Sequence, residues 1–258
     1  MRPFTFFTLF LGLALAQTPL GPVPTRDVHA LLWHSSGALL LGHHDGIVAW
    51  YNATPPPRDL VRRRDWDAMN LAWDGERLIV AGHWIFAESR DLKRFRDLRP
   101  KGLPALDLHA YAIDPRKPEV HYTLEATYYG YFRSQDGGQT WAKLPARGLP
   151  KVGMAFFLVD QKGRLWASLM EKGLFLSEDG GESFRPIPSP DPAPGPLALS
   201  PSGTLYLGGK LGLWRRTEAG WRRIWQGGVL ALAAHPQVEG LLAWVDERGI
   251  LWQGRWGR

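Results

Sequence analysis

Three aspartates recur at one interval: Asp27 in "DVHALL", Asp67 in "DAMNL" and Asp107 in "DLHAY", with 67 − 27 = 40 and 107 − 67 = 40. Two residues after each stands His29, Met69 or His109. A second set keeps the same period: His43 and His44 in "GHHDGI", then His83 in "AGH", with 83 − 43 = 40. Imidazole, thioether and carboxylate at one point of successive repeats are metal-ligand chemistry. Imidazole with thioether favours copper, including Cu(I); imidazole with carboxylate favours zinc, Cu(II), nickel or iron. The other use of Asp27 and Asp107 is to orient the imidazoles through their second nitrogen.

The carboxylates permit a different chemistry. Glycoside hydrolysis needs two of them, about 5 Å apart for retention or about 6.5–9.5 Å for inversion. Asp67, Asp107 and Glu171 are the candidates, and Trp66, Trp84, Tyr128 and Tyr129 are available to stack on sugar rings. The competing use of these aromatics is packing between sheets. The candidate ligand-binding set is therefore Asp27, Asp67, Asp107, Trp84 and Tyr128, and the candidate metal set is His29, His43, His44, Met69, His83 and His109. No nucleophile elbow, P-loop, dinucleotide fingerprint or HExxH is present.

Repeats must position these residues. After residue 26 the chain divides into six units. Each opens on a short apolar strand: "HALLW", "MNLAW", "HAYAI", "MAFFLV", "LALS" and "LALAAH". A turn with Gly, Asp or Pro leads to a second strand, such as "ALLLG" or "RLIVAG". A tight turn leads to a third, such as "GIVAW" or "GYFRS", and a more polar fourth strand closes most units. β-rich strands at this spacing predict an all-β fold, a single six-bladed β-propeller over residues 17–258 with four-stranded antiparallel blades. The last unit lacks a clear fourth strand. "TPLGPVP" (18–24) is expected to supply it, so that the two termini close one blade and no edge is left open. In such a wheel the first strands line the axis, and their starts share one face with the second-to-third turns. The polar set then gathers on three adjacent blades at one mouth of the channel. His34, His121 and His235 fall at strand ends or opposite turns and are expected at the surface.

Two segments carry a specific signature. "SQDGGQTW" (134–141) and "SEDGGESF" (177–184) resemble Asp-box, or BNR, repeats, and "SRDLKRF" (89–95) resembles a decayed copy. The resemblance implies a hairpin turn between third and fourth strands. In it Asp136 and Asp179 bond the turn backbone, and Trp141 and Phe184 pack between sheets. The family includes sialidases, other glycoside hydrolases and sortilin-like binding domains. The sialidase pattern is not met: "FRPI" (184–187) is scrambled and follows a box. The order "DVHAL", "GHHDGI", "DAMNL", "AGH", "DLHAY" is similar to small exported propellers called glycosyl hydrolases for their Asp boxes alone. Those carry proline where this chain has Trp84 after "AGH", which implies a different turn here.

Composition bounds the setting. Net charge is +6, with one basic run, Arg62-Arg63-Arg64, and no nucleic-acid-binding motif, so a nucleic-acid partner is not expected. Arg2, the apolar "FTFFTLFLGLALA" and the small-residue site Ala14-Leu15-Ala16 read as a signal peptide over 1–16. With no second long apolar run, the mature chain is expected to be periplasmic or extracellular, outside the membrane and monomeric. Cysteine is absent, so packing alone must hold it. The first functional expectation is a non-catalytic binding protein holding a transition metal, copper or zinc, or a small ligand at the His/Asp/Met mouth. The second is a non-sialidase glycoside hydrolase acting on a glycan. The third is a sortilin-like scaffold binding protein.

Overall fold

A computed structural model describes residues 15–257. The expected signal segment therefore lies outside the described residues, apart from Leu15 and Ala16. No described helix is long and apolar enough to cross a membrane.

Twenty-four strands form six four-stranded antiparallel sheets. Blade one holds β2 (Val28–Trp33), β3 (Ala38–His43), β4 (Gly46–Tyr51) and β5 (Arg58–Arg62). Blade two holds β6 (Asp67–Trp73), β7 (Leu78–His83), β8 (Ile85–Ser89) and β9 (Arg96–Asp97). Blade three holds β10 (Leu108–Asp114), β11 (Lys117–Glu125), β12 (Gly130–Ser134) and β13 (Ala142–Lys143). Blade four holds β14 (Ala155–Val159), β15 (Leu165–Leu169), β16 (Gly173–Ser177) and β17 (Arg185–Ile187). Blade five holds β18 (Pro194–Leu199), β19 (Leu205–Gly209), β20 (Gly212–Thr217) and β21 (Gly220–Gln226). Blade six joins β22 (Val229–Ala234), β23 (Leu241–Asp246) and β24 (Ile250–Arg255) to β1 (Leu15–Pro22), which pairs antiparallel with β24. The wheel closes as the sequence predicts, with Thr18 opposite Gln253 and Pro22 opposite Ile250.

The middle stretches of the second strands, such as Leu39–Leu41 and Ile79–Ala81, are apolar and buried because both faces are covered. Along β3, Leu39 and Leu41 pack toward blade six, and Ala38 and Leu40 pack toward blade two. Six buried clusters result, one at each blade-to-blade interface. A strand buried on both sides reads as a continuous apolar run, not an alternating one.

The box turns form as the resemblance implies. Asp136 Oδ1 accepts the backbone N–H of Thr140 at 2.8 Å, and Gly138 N–H donates to Ser134 Oγ at 2.9 Å. Asp179 repeats this with Ser183 N–H at 3.0 Å. In the decayed copy Asp91 still accepts from Lys93 and Arg94 N–H. Trp141 packs among Phe86 and Tyr111, and Phe184 joins the cluster between blades three and four.

A second repeat accompanies the boxes. Lys101-Gly102-Leu103-Pro104 and Arg147-Gly148-Leu149-Pro150 each precede a blade that carries a box. Lys101 pairs in parallel with Thr140, and Arg147 with Ser183, so each linker is laced to the box of the blade it enters. Gly102 and Gly148 have φ of 85° and 83°, and a Cβ there would lie 2.1 Å from Trp141 O and 2.4 Å from Phe184 O.

The expected surface position of two histidines is corrected. His121 is fully buried, with Nδ1 2.6 Å from Tyr111 Oη and Nε2 2.8 Å from Pro118 O. His34 is buried edge-on against Trp73. His121 lies in the middle of β11, covered by Tyr111 and Trp141, and His34, just past the end of β2, is covered by Trp73 of blade two. His235 is half-buried beside Trp33.

Two outcomes are expected. Gly102→Ala and Gly148→Ala combine a disfavoured dihedral, about 1–2 kcal/mol, with a backbone clash. Gly75→Ala, at φ 102° with nothing within 4 Å, meets the dihedral alone. Thermal melts should rank Gly75→Ala as the mildest of the three. The Asp136 carboxyl is held down to about 2 by the Thr140 hydroxyl first, then by the Thr140 N–H. Burial raises Asp179, but Ser183 and Ser177 overcome it and bring it to about 2. With folded values below the ordinary 3.8, their contribution is complete above about pH 4 and disappears as pH falls toward 2. Unfolding stability measured from pH 5 to 2 should slope less steeply in Asp136→Asn.

Candidate metal centre

The inner strands do not run straight into the mouth. Between Val28 and Ala30, β2 slips against β3, and His29 is the extra residue. The same slip in β10 leaves His109 extra, and in β22 it leaves Leu230 extra. In β6 the irregularity lies between Asp67 and Asn70. A bulge re-aims the residue it carries. Here it turns imidazoles toward the axis at the rim.

The glycine of each "GH" pair makes room for this. A Cβ on Gly42 would sit 2.3 Å from Ala68 O, and one on Gly82 would sit 1.8 Å from Asp67 O. The bulged start of β6 therefore lies close against β3 and β7, and Asp67 comes between the histidines of blades one and two. Asn70 braces the strand from below, donating to Leu108 O of the next blade at 2.8 Å.

The polar groups form two unequal halves. In the first, His29 Nε2 lies 3.0 Å from Asp67 Oδ1, and His44 Nδ1 lies 3.8 Å from Asp67 Oδ2. Despite the short separation, His29 Nε2 and Asp67 Oδ1 meet off the line a hydrogen bond requires. Both are buried with no hydrogen-bond partner. Burial lowers the His29 imidazole below its ordinary 6.5; Asp67 pulls it upward and His44 lowers it further. In the second half Asp107 is hydrogen-bonded. Its Oδ1 pairs with His109 Nε2 at 3.0 Å and its Oδ2 accepts the Thr127 hydroxyl at 2.9 Å, while His83 Nδ1 lies 2.6 Å from Oδ1 without hydrogen-bond alignment. His109 Nδ1 reaches Gly153 O of the blade-four linker at 2.5 Å. His83 joins the halves, its Nε2 3.6 Å from Asp67 Oδ2.

The mouth thus gathers His29, His44, Asp67, His83, Asp107 and His109. The remaining candidates stand apart. His43 turns the other way along β3 and takes the Asp45 N–H on Nδ1. Met69 is buried below the rim and lines a cavity of 90 Å³ with His29, Tyr111, Phe157, Leu197 and Leu232. A water needs about 10–15 Å³ of such space, so the cavity beneath the mouth has room for several waters. Asp27 and Glu171 are exposed. His83 bridges Asp67 and Asp107, where a glycosidase would hold a scissile bond. Trp84 and Tyr128 stand outward on the turns. Trp84 has φ 58°, which a proline ring cannot adopt. Thr127, the Gly153 carbonyl and the bulges escaped sequence reasoning; the "GH" glycines, which recur at 82 − 42 = 40, were the signal available for the close approach.

No family model and no curated protein matches the chain. Several solved structures share its fold. A gluconolactonase from Xanthomonas campestris aligns at TM-score 0.72 and 14% identity, over 96% of this chain and 93% of that one. A streptogramin B lyase aligns at 0.62 and 10%, over 96% and 89%. A catalytically inactive virginiamycin B lyase from Staphylococcus aureus, solved with quinupristin, aligns at 0.63 and 11%, over 94% and 100%. Identities this low establish the fold, a six-bladed propeller, alone.

Asp67→Asn removes the group that holds His29 upward, so in metal-free protein the His29 imidazole should titrate lower still. A histidine NMR titration measures it, and an unchanged or higher value would contradict the contact.

Proposed function

We propose that the protein is a metal-binding propeller. Its ion, of the zinc class, is held by His29, His44 and Asp67 and offers an open position to a small oxygen-bearing ligand. The observation that carries this is the buried, partnerless pair His29 Nε2 and Asp67 Oδ1, 3.0 Å apart. Ligands about 2.0–2.2 Å from one zinc ion sit about this far from each other. A neutral imidazole with a carboxylate suits zinc or Cu(II) better than Cu(I), because the Met69 thioether is not in the set. His83, Asp107, His109 and Thr127 form the supporting network, with His83 positioned against Asp67. Arg2, the apolar run "FTFFTLFLGLALA" and the small-residue site Ala14-Leu15-Ala16 support an exported setting, and the two boxes support an Asp-box affiliation.

A second reading is metal-assisted hydrolysis or elimination. It is favoured by the set itself: three protein ligands and a vacant fourth position are the pattern of catalytic rather than structural zinc. The fold neighbours named gluconolactonase and lyase agree with it. The ion would supply Lewis acidity and an activated water. Turnover of a lactone panel by zinc-loaded protein separates this from pure binding.

Calorimetric titration of the metal-free chain with zinc should give one site. His29→Ala and Asp67→Ala should each lose about 100-fold or more in affinity. His109→Ala should lose about tenfold, the effect of a supporting residue. Zinc binding unaffected by His29→Ala would end the proposal.

A further inference from the structure

Among the described residues six large apolar side chains are exposed: Trp84 at 71%, Tyr128 at 69%, Tyr51 at 48%, Met170 and Leu211 at 46%, and Leu230 at 39%. All but Tyr51 belong to one face. Trp84, Tyr128, Met170 and Leu211 occupy the second-to-third turns of blades two, three, four and five. Leu230 is the bulge residue of blade six, the place that His29 and His109 hold in blades one and three. Scattered apolar side chains are ordinary on a surface. Here they sit at equivalent positions around one mouth.

The backbone beneath them is strained in a matching way. Trp84 has φ 58°, Tyr129 after Tyr128 has 56°, and Glu171 after Met170 has 61°. Left-handed backbone at non-glycine residues persists where the surroundings enforce it, and it concentrates at ligand clamps. These turns are also tied directly to the polar centre. Trp84 follows His83, and its N–H bonds Leu106 O, next to Asp107. Tyr128 follows Thr127, whose hydroxyl bonds Asp107. Met170 N–H bonds Met154 O, beside the Gly153 carbonyl that meets His109.

We propose that the site takes a small molecule with a flat apolar ring and an oxygen headgroup. The headgroup reaches the ion, and the ring lies against Trp84 and Tyr128. The inference rests on the metal reading for the headgroup and on the rim for the ring. A polyhydroxylated sugar needs its hydroxyls hydrogen-bonded, whereas Met170, Leu211 and Leu230 offer carbon and sulfur. Indole and phenol faces instead favour an aromatic or alicyclic body.

Two carboxylates with different bodies test this on the zinc-loaded full chain: 2-naphthoate and D-gluconate, followed by calorimetry. Naphthoate should bind at least about tenfold more tightly, and Trp84→Ala and Tyr128→Ala should each weaken it about fivefold, the size of one aromatic contact. Trp84→Phe should recover most of that loss, and zinc affinity should stay constant throughout. Equal affinity for both probes, or naphthoate binding indifferent to both alanine substitutions, overturns the rim. Naphthoate binding that stays sensitive to Trp84→Ala in a chain that takes up no zinc sustains the rim and removes the metal reading.

Discussion

Each blade covers its neighbours on both faces, and that mutual cover governs everything else in the molecule. A sheet whose second strand is buried on both faces through its middle has no wettable side. It is stable only between two others, and the series must therefore close. Closure falls to β1, which lies against β24 and completes the sixth sheet with a strand from the far end of the chain. With no cysteine in the chain and no helix among the described residues, the six interfacial clusters are the main source of cohesion.

Closing the wheel brings polar groups together that packing by itself would keep apart. Carboxylates and imidazoles taken from water need compensation, and the two halves of the mouth find it differently. Around Asp107 it comes from hydrogen bonds with one imidazole and a hydroxyl, and Gly153 O meets the outer nitrogen of that imidazole. Around Asp67 one imidazole nitrogen and one carboxylate oxygen face each other without a bond. That difference is the ground on which we propose the Asp67 side as the binding half, although both contain the same residue types.

Much of this could be read from the residues before the structure. The six-blade count, the closing strand and the box turns follow from strand spacing, an unpaired final unit and Gly-rich hairpins. Five residues of the 40-residue recurrence, His29, Asp67, His83, Asp107 and His109, meet at one mouth, with His44 beside them. The recurrence placed Met69 and His43 less well, because period alone does not say which face of a strand a residue takes once a bulge intervenes. Met69 stands two residues after Asp67 just as His29 follows Asp27, yet the slip in β6 lies around it and leaves it below the rim. His34 and His121 read as surface because the strand pattern carries no information about the aromatic rings that cover them. The Lys-Gly-Leu-Pro and Arg-Gly-Leu-Pro segments went unread in the sequence, because their use emerges only from the pairing of a linker with a distant turn.

That pairing makes the wheel unequal around its circumference. Lys101 with Thr140 and Arg147 with Ser183 add backbone stitches between blades two and three and between three and four. The blade-five linker is a proline-rich run without such a stitch among the described pairings, and blade six is completed by two chain ends. Thermal opening should therefore begin at the seam and travel toward the stitched arc last. Asp67, His83, Asp107 and His109 ride on that stiffer arc, whereas His29 and His44 stand on blade one beside the seam, so breathing there changes the spacing between the His29 imidazole and the Asp67 carboxylate.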